Sequence, residues 1–288
     1  MARLTRTTLL LVALAALAGC SAAAFSSPGQ RASPRAVPQA PAESPSPSPF
    51  PFPASSPASS PGPTGPLRVL GLGDSVMAGT HCGCSGLVEE YADALARRTG
   101  RTVHVDNLGS NGAVTTDLLH DLASDDDTRG LAARADVVVV TIGANDLIPQ
   151  LDTWEASGCP AHCYTTAAQD VGRRLTRVLQ VLAAARGGRT DHVLVTDYWN
   201  VFRDGDVALE YEGRAERDWS LRVTDAANAA ICRAARATGA VCVDLVAPFR
   251  AAGHGDPTPL LADDGDHPDA AGMKVIVAAL MQATPGDL

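Results

Sequence analysis

The 288-residue sequence predicts a three-layer α/β/α sandwich built on a five-stranded parallel sheet. Three observations carry the prediction. Five short, mainly apolar runs recur within residues 67–288, most of them apolar at successive positions rather than at every second one, and helical patterns separate them. Strands without alternation are buried on both sheet faces. Strands joined through helices form a parallel sheet covered on both sides.

The strand candidates in chain order are Arg68–Leu72, Val103–Asn107, Val137–Ile142, His192–Thr196 and Val241–Leu245. Leu87, Val88, Tyr91 and Leu95 share one helical face after the first strand. Val171, Leu175, Val178, Leu179 and Leu182 share another before the fourth. Met273, Ile276, Val277 and Leu280 repeat the spacing near the end of the chain. Each set recurs at three or four residues, the period of a helix with one buried face.

What precedes the domain cannot contribute to a core. Arg3 and Arg6 precede an apolar stretch, Leu9–Leu17, that is too short to span a bilayer as a mature helix. Leu17-Ala18-Gly19-Cys20 follows and is similar to a bacterial lipobox, which makes residues 1–19 a signal peptide and Cys20 the lipidated residue. Cleavage at a nearby small-residue site, with Cys20 a bystander, is the alternative. Both readings export the protein, either to the outer face of the cell membrane or into the medium. Residues 20–66 read as a tether: thirteen of the twenty prolines lie in residues 21–66, among Ser and Ala. Proline removes backbone donors and favours extended polyproline II, so this segment is a semi-stiff spacer. Residues 67–288 are long enough for one domain with a sizeable core.

The formal net charge is -9, and removing residues 1–19 with Arg3 and Arg6 makes it more negative. No basic stripe is present, so nucleic acid is not an expected partner. Beyond Cys20 six cysteines remain: Cys82, Cys84, Cys159, Cys163, Cys232 and Cys242. An even number in an exported domain predicts three disulfides. Cys232 and Cys242 form a plausible local pair between a helix and the next strand. The other four are expected to tie the loop after Ser75 to the loop after Asn145, although sequence does not fix the pairing. Zinc on these thiols with His81 and His162 is the competing reading. The oxidising compartment favours disulfides, and neither a metal nor a cofactor is expected.

Four short motifs stand at strand ends or in loops: Gly73-Asp74-Ser75, Asn107-Leu108-Gly109-Ser110-Asn111-Gly112, Gly143-Ala144-Asn145-Asp146 and Asp264-Gly265-Asp266-His267-Pro268. A serine hydroxyl needs a base to become a nucleophile at neutral pH. His267 is the base candidate, and Asp264 three residues earlier reaches back to orient its ring. Asp266, adjacent to the histidine, ranks second. His104, His120, His192 and His254 have no comparable setting and read as structural or exposed.

In this order the motifs resemble the SGNH (GDSL-type) hydrolase family over residues 67–283. Val76 stands where the family name implies Leu, an apolar replacement that changes little. The resemblance implies a flavodoxin-like strand order 2-1-3-4-5 and catalysis by Ser75, Asp264 and His267. It also implies an oxyanion hole of the Ser75 and Gly112 amides with the Asn145 side chain, Gly109 being the fallback for Gly112. The expected activity is cleavage of acyl esters through an acyl-enzyme by a tethered monomer, on a small-molecule, glycan or lipid ester. The alternative is an acyltransferase or acyl- or glycan-binding relative acting on cell-envelope polymers. Substrate choice is expected to lie in the cysteine-bearing loops and in residues 198–217. Trp154, Trp199 and Trp219 lie in or beside them, either lining a groove or packing.

Overall fold

The computed structural model describes residues 65–288, so the expected signal peptide, Cys20 and all but the end of the expected tether lie outside the described residues. Five parallel strands form one sheet: β1 Leu67–Gly73, β2 Val103–Gly109, β3 Val137–Thr141, β4 Val193–Thr196 and β5 Val241–Val243. Their spatial order is β2-β1-β3-β4-β5, the order that the resemblance implies. Leu67 lies opposite Val103 and Gly73 opposite Gly109, so β1 and β2 end level with one another.

Burial on both faces holds for the inner strands. Every residue of β3 and β4 is buried, and so is β1 apart from Arg68. The edges differ. β2 and β5 are only partly covered, and Leu108 and Val241 reach the surface, because an edge strand has a neighbour on one side alone. β5 is also shorter than predicted. Asp244 accepts from the amides of Val246 and Ala247 and turns the chain into a helix before Leu245 can pair.

The helices are α1 Ser75–Ala78, α2 Leu87–Thr99, α3 Thr115–Ser124, α4 Asp126–Arg134, α5 Ile148–Ser157, α6 Ala161–Ala185, α7 Gly205–Tyr211, α8 Arg214–Ala237, α9 Val246–Ala252 and α10 Ala270–Ala283. α2 and α10 pack together on one face of the sheet; α4, α6 and α8 lie on the other. α2 has Glu89 and Glu90 in its first turn, Arg97 and Arg98 in its last, and a left-handed Gly100 at its end. These charges complement the helix dipole, and the glycine stops the helix. The predicted faces of α2 and α6 are buried in full, as are Met273, Ile276 and Leu280 of α10, with Val277 half-buried. Each large apolar side chain withdrawn in this way contributes roughly 2 kcal/mol of transfer free energy. Among the described residues no helix is long and apolar enough to cross a membrane.

The six cysteines pair as Cys82–Cys84, Cys159–Cys163 and Cys232–Cys242. The last joins α8 to β5 as expected. The first two correct the expected link between loops: each closes a turn within its own loop. Sequence separations of two and four bring the Cα atoms to 5.2 and 5.5 Å without any help from tertiary structure.

This topology places the site. The connection from β1 goes to one side, to β2, whereas β3, β4 and β5 extend to the other. A crevice therefore opens beyond the carboxyl ends of β1 and β3, and the Gly-Asp-Ser and Gly-Ala-Asn-Asp motifs follow those two strands directly.

Candidate active site

β1 ends at Gly73, whose φ of +150° is one that L side chains rarely adopt. A Cβ there would lie 1.9 Å from the Thr141 carbonyl oxygen, so only glycine lets β1 run so close to β3. Asp74 caps α1 by accepting from the Val76 amide, and its carboxylate also accepts from the hydroxyls of Thr141 and Tyr198. Asp74 is fully buried. Burial raises its carboxyl to about 6, the Tyr198, Val76 and Thr141 hydrogen bonds oppose the rise, and the charge of Asp266 adds to it. The turn carrying Ser75 is thus fastened to β1, to β3 and to the segment after β4.

His267 arrives from the other end of the chain. Asp264 Oδ1 accepts from the amides of Asp266 and His267, folding residues 264–267 into a tight loop. The Asp204 amide donates to the Gly265 carbonyl, and Ala262 donates to the His267 carbonyl. Asp204 is buried between Arg217 and Arg250 and holds this support in place. Ser75 Oγ then lies 2.8 Å from His267 Nε2, and His267 Nδ1 lies 2.7 Å from Asp264 Oδ2. An ionised carboxylate only accepts, so Nδ1 carries the proton and Nε2 is left to accept from the serine hydroxyl. Burial acts to raise the Asp264 carboxyl, but hydrogen bonds from the His267 amide and ring and from the Asp266 amide outweigh it and hold the group below its ordinary value.

Asp266 Oδ2 is 3.9 Å from His267 Nδ1, beyond hydrogen-bond reach. Partial withdrawal from water raises its carboxyl, with His267 opposing. The geometry therefore favours Asp264 over Asp266 as the partner of the ring.

Asn145 lines the same cavity as Ser75 and His267. One of its amide hydrogens goes to the Ala113 carbonyl, 3.0 Å away, which draws it to the turn containing Gly112. Gly112 has φ +75° and open space where a side chain would stand, and it lines an adjoining depression rather than the cavity itself. Thr80 donates to Asn111 and ties this turn to the loop after Ser75. Gly109 is packed against the backbone of α1, where a Cβ would lie 2.5 Å from the Ala78 nitrogen. That is a packing role, which leaves Gly112 the better candidate. Asp146 faces away and accepts from the Thr115 amide and hydroxyl, at the start of α3.

The cavity has a volume of about 330 Å³. Its far wall is residues 198–203 with Glu212, and its near wall is Ile148, Leu151 and Glu155 of α5. Of the expected stretch 198–217, residues 198–203 and Glu212 wall the pocket and the rest do not, nor does any of the six cysteines. Trp199 lines the cavity while stacked on Phe249, ring centroids 4.4 Å apart. Trp219 is sandwiched by Trp154 and Phe202 and donates to the Cys159 carbonyl, so it is a packing residue. Tyr198 was not legible as a site residue, since no local motif marks a tyrosine that bonds Asp74 from 124 positions away.

Solved structures share this fold. A lipase from a goat rumen metagenome superposes with a TM-score of 0.63 at 20% identity, covering 75% of this chain and 97% of its own. Phospholipase A1 from Streptomyces albidoflavus NA297 gives 0.55 at 22% identity, covering 77% and 100%. A catalytic mutant of an acetylxylan esterase from Geobacillus stearothermophilus gives 0.55 at 18%, covering 76% and 94%. No curated protein matches the chain. The GDSL-like Lipase/Acylhydrolase family model matches residues 72–275, a span that begins in β1, ends in α10 and encloses Ser75, Asn145, Asp264 and His267. The chain belongs to that family and is an ester hydrolase.

Proposed function

We propose that the protein is an exported, membrane-tethered serine esterase that works through an acyl-enzyme. The observation that carries this is the continuous chain from Ser75 Oγ through His267 to Asp264, at 2.8 and 2.7 Å. His267 Nε2 removes the serine proton as Oγ attacks the ester carbonyl, and Asp264 stabilises the imidazolium that forms. The same proton is then given to the departing alcohol. Water, deprotonated in its turn by His267, attacks the acyl-serine and restores the site. The Ser75 and Gly112 amides and the Asn145 side chain supply donors to the oxyanion.

The cavity walls support a neutral ester as substrate. Ile148, Leu151, Val201 and Phe202 offer an apolar surface, while Glu155 and Asp266 disfavour an anionic group. Arg203 also lines the cavity, 3.1 Å from Glu212, which neutralises it. Short or medium acyl chains on uncharged alcohols, including sugars, fit these walls. Export and tethering rest on the leader, Cys20 and the proline-rich residues 21–66. The test is a panel of short-chain, long-chain and sugar esters with Ser75→Ala as control. Release of free acid by the parent, with organophosphonate labelling on Ser75, is expected. Full activity in Ser75→Ala would overturn the reading, and acyl transfer to a glycan in place of free acid would redirect it to a transferase.

A further inference from the structure

We propose that His81, Asp264 and His267 form an inhibitory site for a divalent transition-metal ion, with zinc the natural probe. His81 lies in the loop after α1, and its ring stands 5.3 Å from that of His267, centroid to centroid. Its Nε2 is 3.7 Å from Asp264 Oδ2, and Asp264 Oδ2 is 2.7 Å from His267 Nδ1. The three residues each offer a ligand atom, all within 4.8 Å of one another. Ligand atoms on a tetrahedral zinc with bonds of about 2.0–2.1 Å stand about 3.4 Å apart, so small side-chain rotations complete the set. Two imidazoles and a carboxylate match zinc in donor type and leave one position for water.

The site is accessible and held in place. The His81 side chain is 59% exposed, which gives an ion a direct path. Its backbone has φ +61°, a conformation in which His is several-fold commoner than most side chains. The Thr80 amide donates to the Ser75 carbonyl, the Thr80 hydroxyl donates to Asn111, and the Cys82–Cys84 bridge follows at once. Asp266, 3.9 Å from the His267 ring, adds negative charge beside the ion.

Inhibition follows from the imidazole tautomer. A metal on Nδ1 of His267 displaces the proton that this nitrogen donates to Asp264. A neutral imidazole bound through Nδ1 carries its proton on Nε2, the atom that faces Ser75. The ring then presents a donor where the serine needs an acceptor. The inhibitory half of the proposal rests on Ser75 and His267 being the catalytic pair; the binding half does not.

Equilibrium dialysis of zinc against the whole purified protein, with zinc titration of p-nitrophenyl butyrate hydrolysis, tests both halves. The parent is expected to bind one zinc at this site and to lose activity reversibly, with recovery on adding EDTA. Loss of even an outer partner of a metal ligand costs about 10–100-fold in affinity. His81→Ala is therefore expected to weaken binding and inhibition at least about tenfold, inhibition being scored against each variant's own metal-free rate. His81→Asn removes the imidazole yet tolerates the same backbone conformation, and should show the same loss. Ser75→Ala should still bind zinc although it hydrolyses nothing, which separates failure of this site from failure of the catalytic assignment. Unchanged zinc affinity in both His81 variants, or zinc bound without inhibition, would overturn the proposal.

Discussion

The Tyr198 hydroxyl donates to Asp74 Oδ2 at 2.5 Å and thereby fixes, from the segment after β4, the turn that presents Ser75 at the end of β1. Neither residue is hydrogen-bonded to the Ser75 hydroxyl, whose partner is His267; they set where it stands.

Tyr198→Phe should separate positioning from chemistry. The change leaves a buried carboxyl short of one donor, which costs about 1–3 kcal/mol. It also removes an interaction that holds the Asp74 carboxyl down, so that group should rise further above its present value of about 6. The expected result is a lower unfolding midpoint together with reduced kcat and an altered pH profile. Lost stability with an unchanged profile would reduce Tyr198 to a packing residue.

Asp264→Asn tests the orientation of the ring. Asn Oδ1 can still accept from the amides of Asp266 and His267, so the loop should keep its shape. The side chain no longer stabilises imidazolium, and its NH2 favours the wrong tautomer at Nδ1. A loss in kcat on the order of 10³–10⁴ is expected, with little change in unfolding temperature. Asp266→Asn, made in parallel, should cost far less. A reversed ranking would hand the role to Asp266.

How much of this was visible in the sequence depends on range. The strands could be read because β1, β3 and β4 are buried on both faces and so are apolar apart from Arg68 and the terminal Thr141 and Thr196. Ser75, Asp264 and His267 could be read because each sits in a short local motif. Asp204 could not: its importance lies in the Gly265 carbonyl and in two arginines, contacts that only the fold brings together. The cysteine loops misled for the opposite reason. Long-range links were expected where the chain had already closed each bridge within two or four residues. Asp146 was likewise hidden, since it accepts from the Thr115 amide and hydroxyl at the start of α3, 31 positions away.

Asn145→Ala asks whether the amide serves the reaction or only the Ala113 carbonyl. Losing that hydrogen bond alone should cost about 1 kcal/mol of stability with activity per folded molecule unchanged. Losing an oxyanion donor typically costs about 3 kcal/mol of barrier, or a hundredfold or more in kcat, with KM much less affected. The second outcome is expected. Thermal unfolding and steady-state kinetics on one preparation distinguish the two, and a normal kcat would remove Asn145 from the site.

Asp197 gives a pH signature independent of catalysis. It lies after β4, is only 5% exposed and accepts from the Leu245 amide at 2.6 Å. Burial raises its carboxyl from 3.8 to about 7, the Leu245 amide opposes this, and Asp244 adds to it. Between these two values the folded protein keeps a proton that the unfolded chain has released. The unfolded state then binds fewer protons, so stability falls as pH rises from about 4 to about 7, and levels off above. Asp197→Asn keeps the acceptor for Leu245 but cannot titrate. Its stability should therefore decline less over this interval than that of the parent, by on the order of 4 kcal/mol at most. Asp74 pulls in the same direction up to about 6, but it is present in both proteins and cancels in the comparison. Urea unfolding at pH 5 and pH 8 measures the difference. Equal pH dependence in the two proteins would mean that Asp197 is ionised in the fold, stabilised by more than the one amide.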